Sequence, residues 1–247
     1  MSKKIYVTGL GPGLYEHMTE AAKNSLKEAD VIVGYKTYID IIADLIGEDK
    51  EILSSGMRRE VDRCQDCLDL AEQGKTVTLV SSGDAGVYGM AGIMMEIVEK
   101  QKSDVEVIIV PGISAANAAA STLGAPLMHD YCVISLSDLM TDWEMIKKRL
   151  HCAGEGDFIV SLYNPRSKGR PDNIVEAQKI LLEYKSGSTP VGIVRNAKRN
   201  DESYVITTLE KMCDAEIDMF SMVIIGNSKT YITEDHLKMI TPRGYQL

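Results

Sequence analysis

Short β-branched runs alternate with amphipathic helical stretches through the first half of this 247-residue chain, and that alternation leaves few architectures open. Runs at 5–7, 31–33, 76–80 and 105–110 read as strands; 19–29, 57–73, 90–101 and 113–123 read as helices. The strand runs are apolar almost throughout, as strands covered on both faces are, so a mostly parallel sheet between helix layers is expected. Thr19 reads as an N-cap and Gly74 as a C-cap. After the stop at Leu123-Gly124-Ala125-Pro126, strand runs recur at 131–136, 157–163, 191–195, 204–207 and 222–226, with helices at 142–150 and 172–184. Between 191 and 226 only a short helical piece, 209–213, fits, so neighbouring strands there are expected to run antiparallel. The fold class is therefore α/β: two α/β domains with mixed sheets, 1–124 and 125–247, with ligands expected in the cleft between them.

Bulk properties narrow the function. A net charge of −9 argues against a duplex nucleic-acid partner, because phosphate binding calls for a basic field. The longest apolar runs are far too short to cross a bilayer. Met1-Ser2-Lys3-Lys4-Ile5 runs straight into a strand pattern without a signal-peptide core, so a cytoplasmic location is expected. The five cysteines are odd in number and scattered, which suits reduced thiols. Cys64 and Cys67 form one CxxC inside a helical pattern in which Met57, Val61, Cys64, Leu68 and Ala71 recur at spacings of three and four. No second pair exists, so the reading is a core helix with no metal site.

Chemistry is expected at the strand ends. Thr8-Gly9-Leu10-Gly11-Pro12-Gly13 follows the first strand run and precedes a helical pattern. A dinucleotide fingerprint needs a third glycine where this chain has Leu14, and no Lys-Ser/Thr pair follows to make a P-loop. Pro12 also removes an amide that a phosphate would want. The turn suits a flat or uncharged ligand. Five more punctuated strand ends follow in the two halves: 81–89 and 111–116, then 191–196 and 224–230, with Tyr163-Asn164-Pro165-Arg166 after the strand run at 157–163.

The GxGPG turn, the Gly83-Asp84-Ala85-Gly86-Val87-Tyr88 segment, Pro111-Gly112-Ile113-Ser114-Ala115 and the two-domain layout together resemble the tetrapyrrole methylases, from Tyr6 to Tyr231. Tyr163-Asn164-Pro165-Arg166-Ser167 with Arg170, and Gly226-Asn227-Ser228-Lys229-Thr230, are similar to the branch that methylates carbon 17 of precorrin-3B or cobalt-factor III and contracts the macrocycle. The resemblance implies S-adenosyl-L-methionine as cofactor, a tetrapyrrole substrate, no membrane partner and a homodimer. It implies cofactor contacts at Pro12, Gly83, Asp84, Val87, Ser114, Ala115, Tyr163 or Asn164, and Gly192. Ala85 stands where most of that family has proline, a departure that leaves Asp84 in place. By its own chemistry Asp84 suits a ribose hydroxyl, an ammonium, or the cap of the helix that begins near Val87.

Basic groups in an acidic chain fit a substrate with many carboxylates. They are Arg58-Arg59, Arg166-Lys168-Arg170 and Arg195-Lys198-Arg199; Arg166, Arg170, Arg195, Lys198 and Arg199 are the expected substrate contacts. No catalytic base is assigned, because methyl transfer to an electron-rich carbon needs alignment more than a base. His17 and His129 are conceivable helpers in ring contraction, and neither is assigned. Three alternatives stay open: methylation at another precorrin carbon, of a diphthamide precursor or of ribosomal RNA; a non-catalytic binding module; and a nicotinamide oxidoreductase. The last lacks the third glycine and has Tyr35 and Lys36 where an acidic ribose ligand should be. Whether the substrate carries cobalt is left undecided.

Overall fold

The structure, a computed structural model, describes residues 3–56, 59–167 and 169–246. The chain divides into two compact units, Met1–Ala115 and Ala116–Leu247. The first contains β1 (Lys4–Gly9), α1 (Glu20–Glu28), β2 (Val31–Tyr35), α2 (Lys36–Ile41), β3 (Glu51–Ser55), α3 (Glu60–Glu72), β4 (Thr76–Ser81), α4 (Ala91–Gln101) and β5 (Glu106–Val110). Its sheet runs β3-β2-β4-β1-β5 and is parallel at every pairing. Alternate residues serve opposite faces. Ile5, Val7, Val31, Val33, Val77 and Leu79 pack with α3 and α4 residues. Ile32, Val80 and Val110 pack with α1 and α2 residues. The connections leaving β1 and β4 run in opposite directions across the sheet, so their helices part to opposite faces and free the carboxyl ends of those strands.

α5 (Ala115–Leu123) carries the chain into the second unit, followed by β6 (Gly124–Ala125), β7 (Tyr131–Ser135), α6 (Trp143–Glu155), β8 (Ile159–Tyr163), α7 (Asn173–Leu182), β9 (Pro190–Arg195), β10 (Ser203–Thr208), β11 (Ser221–Ile225), β12 (Tyr231–Ile232) and β13 (Met239–Ile240). The order is β10-β9-β11-β8-β7, with β11 antiparallel to β8 and β9 and β7 parallel to β8, so this sheet is mixed. A separate small sheet joins β12, β13 and β6. The division falls earlier than a boundary at 124 because α5 is tied down from Ala116 onward within the second unit. Thr122 Oγ1 donates to Glu202 Oε2 at 2.9 Å, and Lys238 Nζ donates to the Thr122 carbonyl at 2.9 Å. Thr19 caps α1 by accepting from Ala22 N, as expected.

The CxxC pair lies on the inner face of α3, both thiols fully buried. One reading of that face needs correcting. Val61 is 62% exposed, and Arg63 is buried in its stead; Met57 lies outside the described residues. Burial pushes the Cys64 thiol up to about 12 and the Cys67 thiol well above its ordinary value. Thiolate is the reactive form. Iodoacetamide at neutral pH is therefore expected to label the exposed Cys152 and spare Cys64 and Cys67 in peptide mass spectra. Modification of Cys64 or Cys67 in the folded protein would count against a packing role.

Candidate functional site

In the first unit the loops after β1 and β4 are joined backbone to backbone, and the loop after β5 packs closely against both. Gly11 and Gly83 exchange two main-chain bonds, at 2.9 and 2.7 Å, and Leu10 N donates to the Ser81 carbonyl at 2.9 Å. Gly83 takes a φ of +68°, a conformation in which a side chain is strained. A Cβ on Gly9 would lie 2.7 Å from Gly83 O and 2.8 Å from Gly112 N. One on Gly112 would lie 2.6 Å from Gly9 O and closer still to Gly83 O. Only glycine lets these three strand ends touch. Beside Gly83 itself an added Cβ would meet nothing nearer than 3.6 Å, from Ala115 N, with Ser114 Cα at 3.9 Å.

Asp84 locks the junction. Its Oδ1 accepts from Gly86 N at 2.8 Å and Val87 N at 3.1 Å, and its Oδ2 accepts from Gly112 N at 3.0 Å. The carboxylate therefore both caps its own turn and fastens that turn to the loop after β5. Of the expected cofactor contacts, Gly83, Asp84, Val87, Ser114 and Ala115 thus meet at one place, with Pro12 next to the Gly11–Gly83 bridge. Pro12 is buried, and Val87 is 38% exposed.

In the second unit, Tyr163 ends β8 and its hydroxyl accepts from Ala116 N in the first turn of α5 at 3.1 Å. Asn164 follows at a φ of +49° and its Nδ2 donates to Ser135 Oγ at 2.9 Å. Gly192 is different. It is buried within β9, and a Cβ there would strike the Leu123 side chain and sit 2.9 Å from Met239 Sδ. Packing inside its own unit crowds that position, but against the ends of two flexible side chains and not against main chain.

Because β8 and β9 are each antiparallel to β11, their carboxyl ends share one edge of the sheet, and both expected basic groups emerge there. Arg166 Nε donates to the Pro171 carbonyl at 3.1 Å. Arg170 Nη1 donates to Ser137 Oγ at 2.6 Å and lies 3.5 Å from Asp138 Oδ1. Its buried Nε has no hydrogen-bond partner among the described residues. Lys198 N donates to Glu202 Oε2 at 2.6 Å, and Arg199 N to the Asn196 carbonyl at 2.9 Å. Arg195 is engaged too, its Nε 2.8 Å from Asp218 Oδ2. Burial pushes the Asp218 carboxyl up, but bonds from Arg195, Phe220 N and Ser221 outweigh it and hold it below the usual carboxylate range. Arg58 and Lys168 lie outside the described residues. His17 and His129 each sit 3.6 Å from a neighbouring carboxylate, of Glu16 and Asp130.

Sequence reasoning passed over one further feature. A hollow of about 180 Å³ opens beside the 82–89 loop on its β2 side, and Arg63 and Ser81 line it. The available signal was an arginine on an otherwise apolar helical stripe, next to Cys64 and one turn before Cys67.

A cobalt-factor III methyltransferase of Priestia megaterium is 50% identical over 250 residues, covering 100% of this chain and 46% of that protein; the chain thus spans about half of that relative. A probable cobalt-factor III C(17)-methyltransferase of Salmonella typhimurium is 52% identical, covering 98% of this chain and 100% of that one. The crystal structure of the methyltransferase CobJ superposes with a TM-score of 0.89 at 36% identity, covering 96% of this chain and 99% of that one. With residues 4–213 also matching the family model for tetrapyrrole (corrin/porphyrin) methylases, this chain belongs to that family.

Proposed function

We propose that this chain transfers a methyl group from S-adenosyl-L-methionine to carbon 17 of cobalt-factor III or precorrin-3B, with contraction of the macrocycle. The observation that carries the reading is the junction of Gly9, Gly83 and Gly112 clamped by Asp84. It offers a ligand bare backbone and no cation: none of residues 8–13, 82–89 or 111–115 is Arg or Lys. That composition fits a cofactor with an adenine, a ribose and an amino acid but no phosphate. When bound, the cofactor supplies an electrophilic methyl on a sulfonium. Pro12, Gly83, Asp84, Val87, Ser114 and Ala115 are the proposed contacts in the first unit, and Tyr163, Asn164 and Gly192 those in the second.

The chain's own part is positioning and exclusion of water, which suffice for much of the acceleration when the acceptor carbon is electron-rich. Arg166, Arg170, Lys198 and Arg199 are the proposed partners of substrate carboxylates, with Arg195 oriented by Asp218. Both relatives at about half identity are named for cobalt-factor III, which makes it the first substrate to try. A cytoplasmic homodimer belongs to the same proposal, and light scattering after size exclusion checks the dimer. The decisive experiment titrates the protein calorimetrically with S-adenosylhomocysteine and NAD. It then incubates it with S-adenosylmethionine and cobalt-factor III, precorrin-3B or uroporphyrinogen III and reads product mass. One added methyl on either of the first two is expected. Methylation of uroporphyrinogen III alone would move the reading to another branch, and binding of NAD alone would end it.

A further inference from the structure

Arg63 is 4% exposed, yet the groups that meet its guanidinium among the described residues are uncharged. Nε donates to Ser55 Oγ at 2.9 Å, Nη2 to the Gly56 carbonyl at 2.9 Å, and Nη1 has Met90 Sδ at 3.9 Å. Among the described residues no carboxylate pairs with it. Arginine keeps its charge in proteins, and a buried charge without a counter-ion is costly. A thioether is a weak acceptor, so the Nη1 edge is the poorly satisfied one. Ser81 supplies a second, independent sign. It ends β4 at 3% exposure, and its Oγ has no hydrogen-bond partner among the described residues. Buried hydroxyls are nearly always bonded, so an orphan in the lining that Arg63, an arginine without a carboxylate partner, also shares points to a missing acceptor.

Both residues line the same hollow, whose walls include Tyr35, Tyr38 and Tyr88, with Glu60 also lining it. Tyr35 and Tyr38 meet edge to face at 5.3 Å, forming an apolar wall. At about 180 Å³ the space is many times what one water needs. Its other wall is the loop that contains Gly83 and Asp84. The hollow lies toward β2, however, whereas the glycine junction lies toward β1 and β5; β4 separates the two. An occupant of the hollow would therefore lie alongside the proposed cofactor contacts and not among them.

We propose that Arg63 and Ser81 form a receptor for one carboxylate side chain of the tetrapyrrole substrate, walled by Tyr35, Tyr38 and Tyr88. The proposal rests on the functional reading above for the identity of the ligand. A carboxylate fills both vacant roles, accepting from the arginine fork and from the serine hydroxyl. Glu60 disfavours a more highly charged anion such as phosphate. The cofactor's own amino-acid carboxylate is the competing source, and the test separates the two.

Wild type, Arg63→Met and Glu60→Gln are titrated with S-adenosylhomocysteine and, separately, with uroporphyrin III, a non-reacting tetrapyrrole rich in carboxylates. Arg63→Met should raise the porphyrin Kd about tenfold, as loss of a charged hydrogen bond does, and leave the S-adenosylhomocysteine Kd within about twofold. Glu60→Gln should lower the porphyrin Kd by about two- to threefold, because it removes a like charge. With cobalt-factor III the same changes should appear in KM and not in kcat. Weaker S-adenosylhomocysteine binding with porphyrin binding unchanged would hand the receptor to the cofactor and overturn the proposal. Unchanged porphyrin affinity in both variants would overturn it as well. Should Arg63→Met fail to fold, Glu60→Gln decides alone by the direction of its shift. Failure of wild type to bind S-adenosylhomocysteine would instead sink the functional reading, and the porphyrin titration would still judge the receptor.

Discussion

Gly112→Ala is expected to destabilise the protein by about 1–3 kcal/mol and to remove measurable S-adenosylhomocysteine binding. The added methyl would lie 2.6 Å from the Gly9 carbonyl oxygen and nearer still to that of Gly83. Those oxygens are main-chain atoms held by strand pairing and by the Gly11–Gly83 bonds, so neither can rotate aside as a side chain would. The clash can be relieved only by parting the loops after β1, β4 and β5, and that separation undoes the proposed cofactor cradle. Gly9→Ala acts on the same contact, so the double variant should cost less than the sum of the singles. Gly92→Ala is the matched control. Gly92 lies in α4 with nothing within 4 Å of an added Cβ, and helix propensity there favours alanine by about 1 kcal/mol. Urea unfolding and calorimetry read both effects. Normal stability and binding in Gly112→Ala would mean that the three-glycine junction is ordinary turn packing.

The parts of the fold legible in the sequence are those whose signal is local. Near-continuous apolar runs located β1, β2, β4 and β5, and the mixed character of the second sheet followed from having too little chain between 191 and 226 for crossover helices. The edge strand β3 escaped notice because Glu51-Ile52-Leu53-Ser54-Ser55 is exposed over four of its five residues and lacks the apolar continuity of a covered strand. α5 offered no sequence clue to its allegiance, since an alanine-rich helix packs equally well against either unit. In the site, the glycine turns and Asp84 were legible as punctuation, but the bond from Gly112 N to Asp84 spans 28 residues and has no sequence mark. The pairing of Arg195 with Asp218, 23 residues apart, is equally silent, and so the basic cluster gave no sign that Arg195 already has a carboxylate partner. Arg63 was the opposite case: a local sign existed, and an apolar stripe read by its majority concealed it.

Asp84→Asn should weaken S-adenosylhomocysteine binding by about ten- to a hundredfold and should also lower the stability of the ligand-free protein, by about 1–3 kcal/mol. The second effect separates two roles that the residue type alone left open. A carboxylate kept for a ribose hydroxyl or an ammonium would be dispensable without ligand, and its loss would change affinity alone. This one spends Oδ1 on Gly86 N and Val87 N and Oδ2 on Gly112 N. Asparagine keeps one acceptor oxygen and turns an amide toward whichever N–H group it no longer serves, so at least one backbone donor is orphaned. If the amide faces Gly112, the loop after β5 is released while the turn at Gly86 survives; if it faces Gly86 and Val87, the reverse holds. Asp84→Ala orphans all three donors and should be worse on both measurements. Parallel loss of affinity and ligand-free stability across Asp, Asn and Ala identifies an organiser of the cradle, whereas loss of affinity at constant stability would return Asp84 to the role of direct ligand.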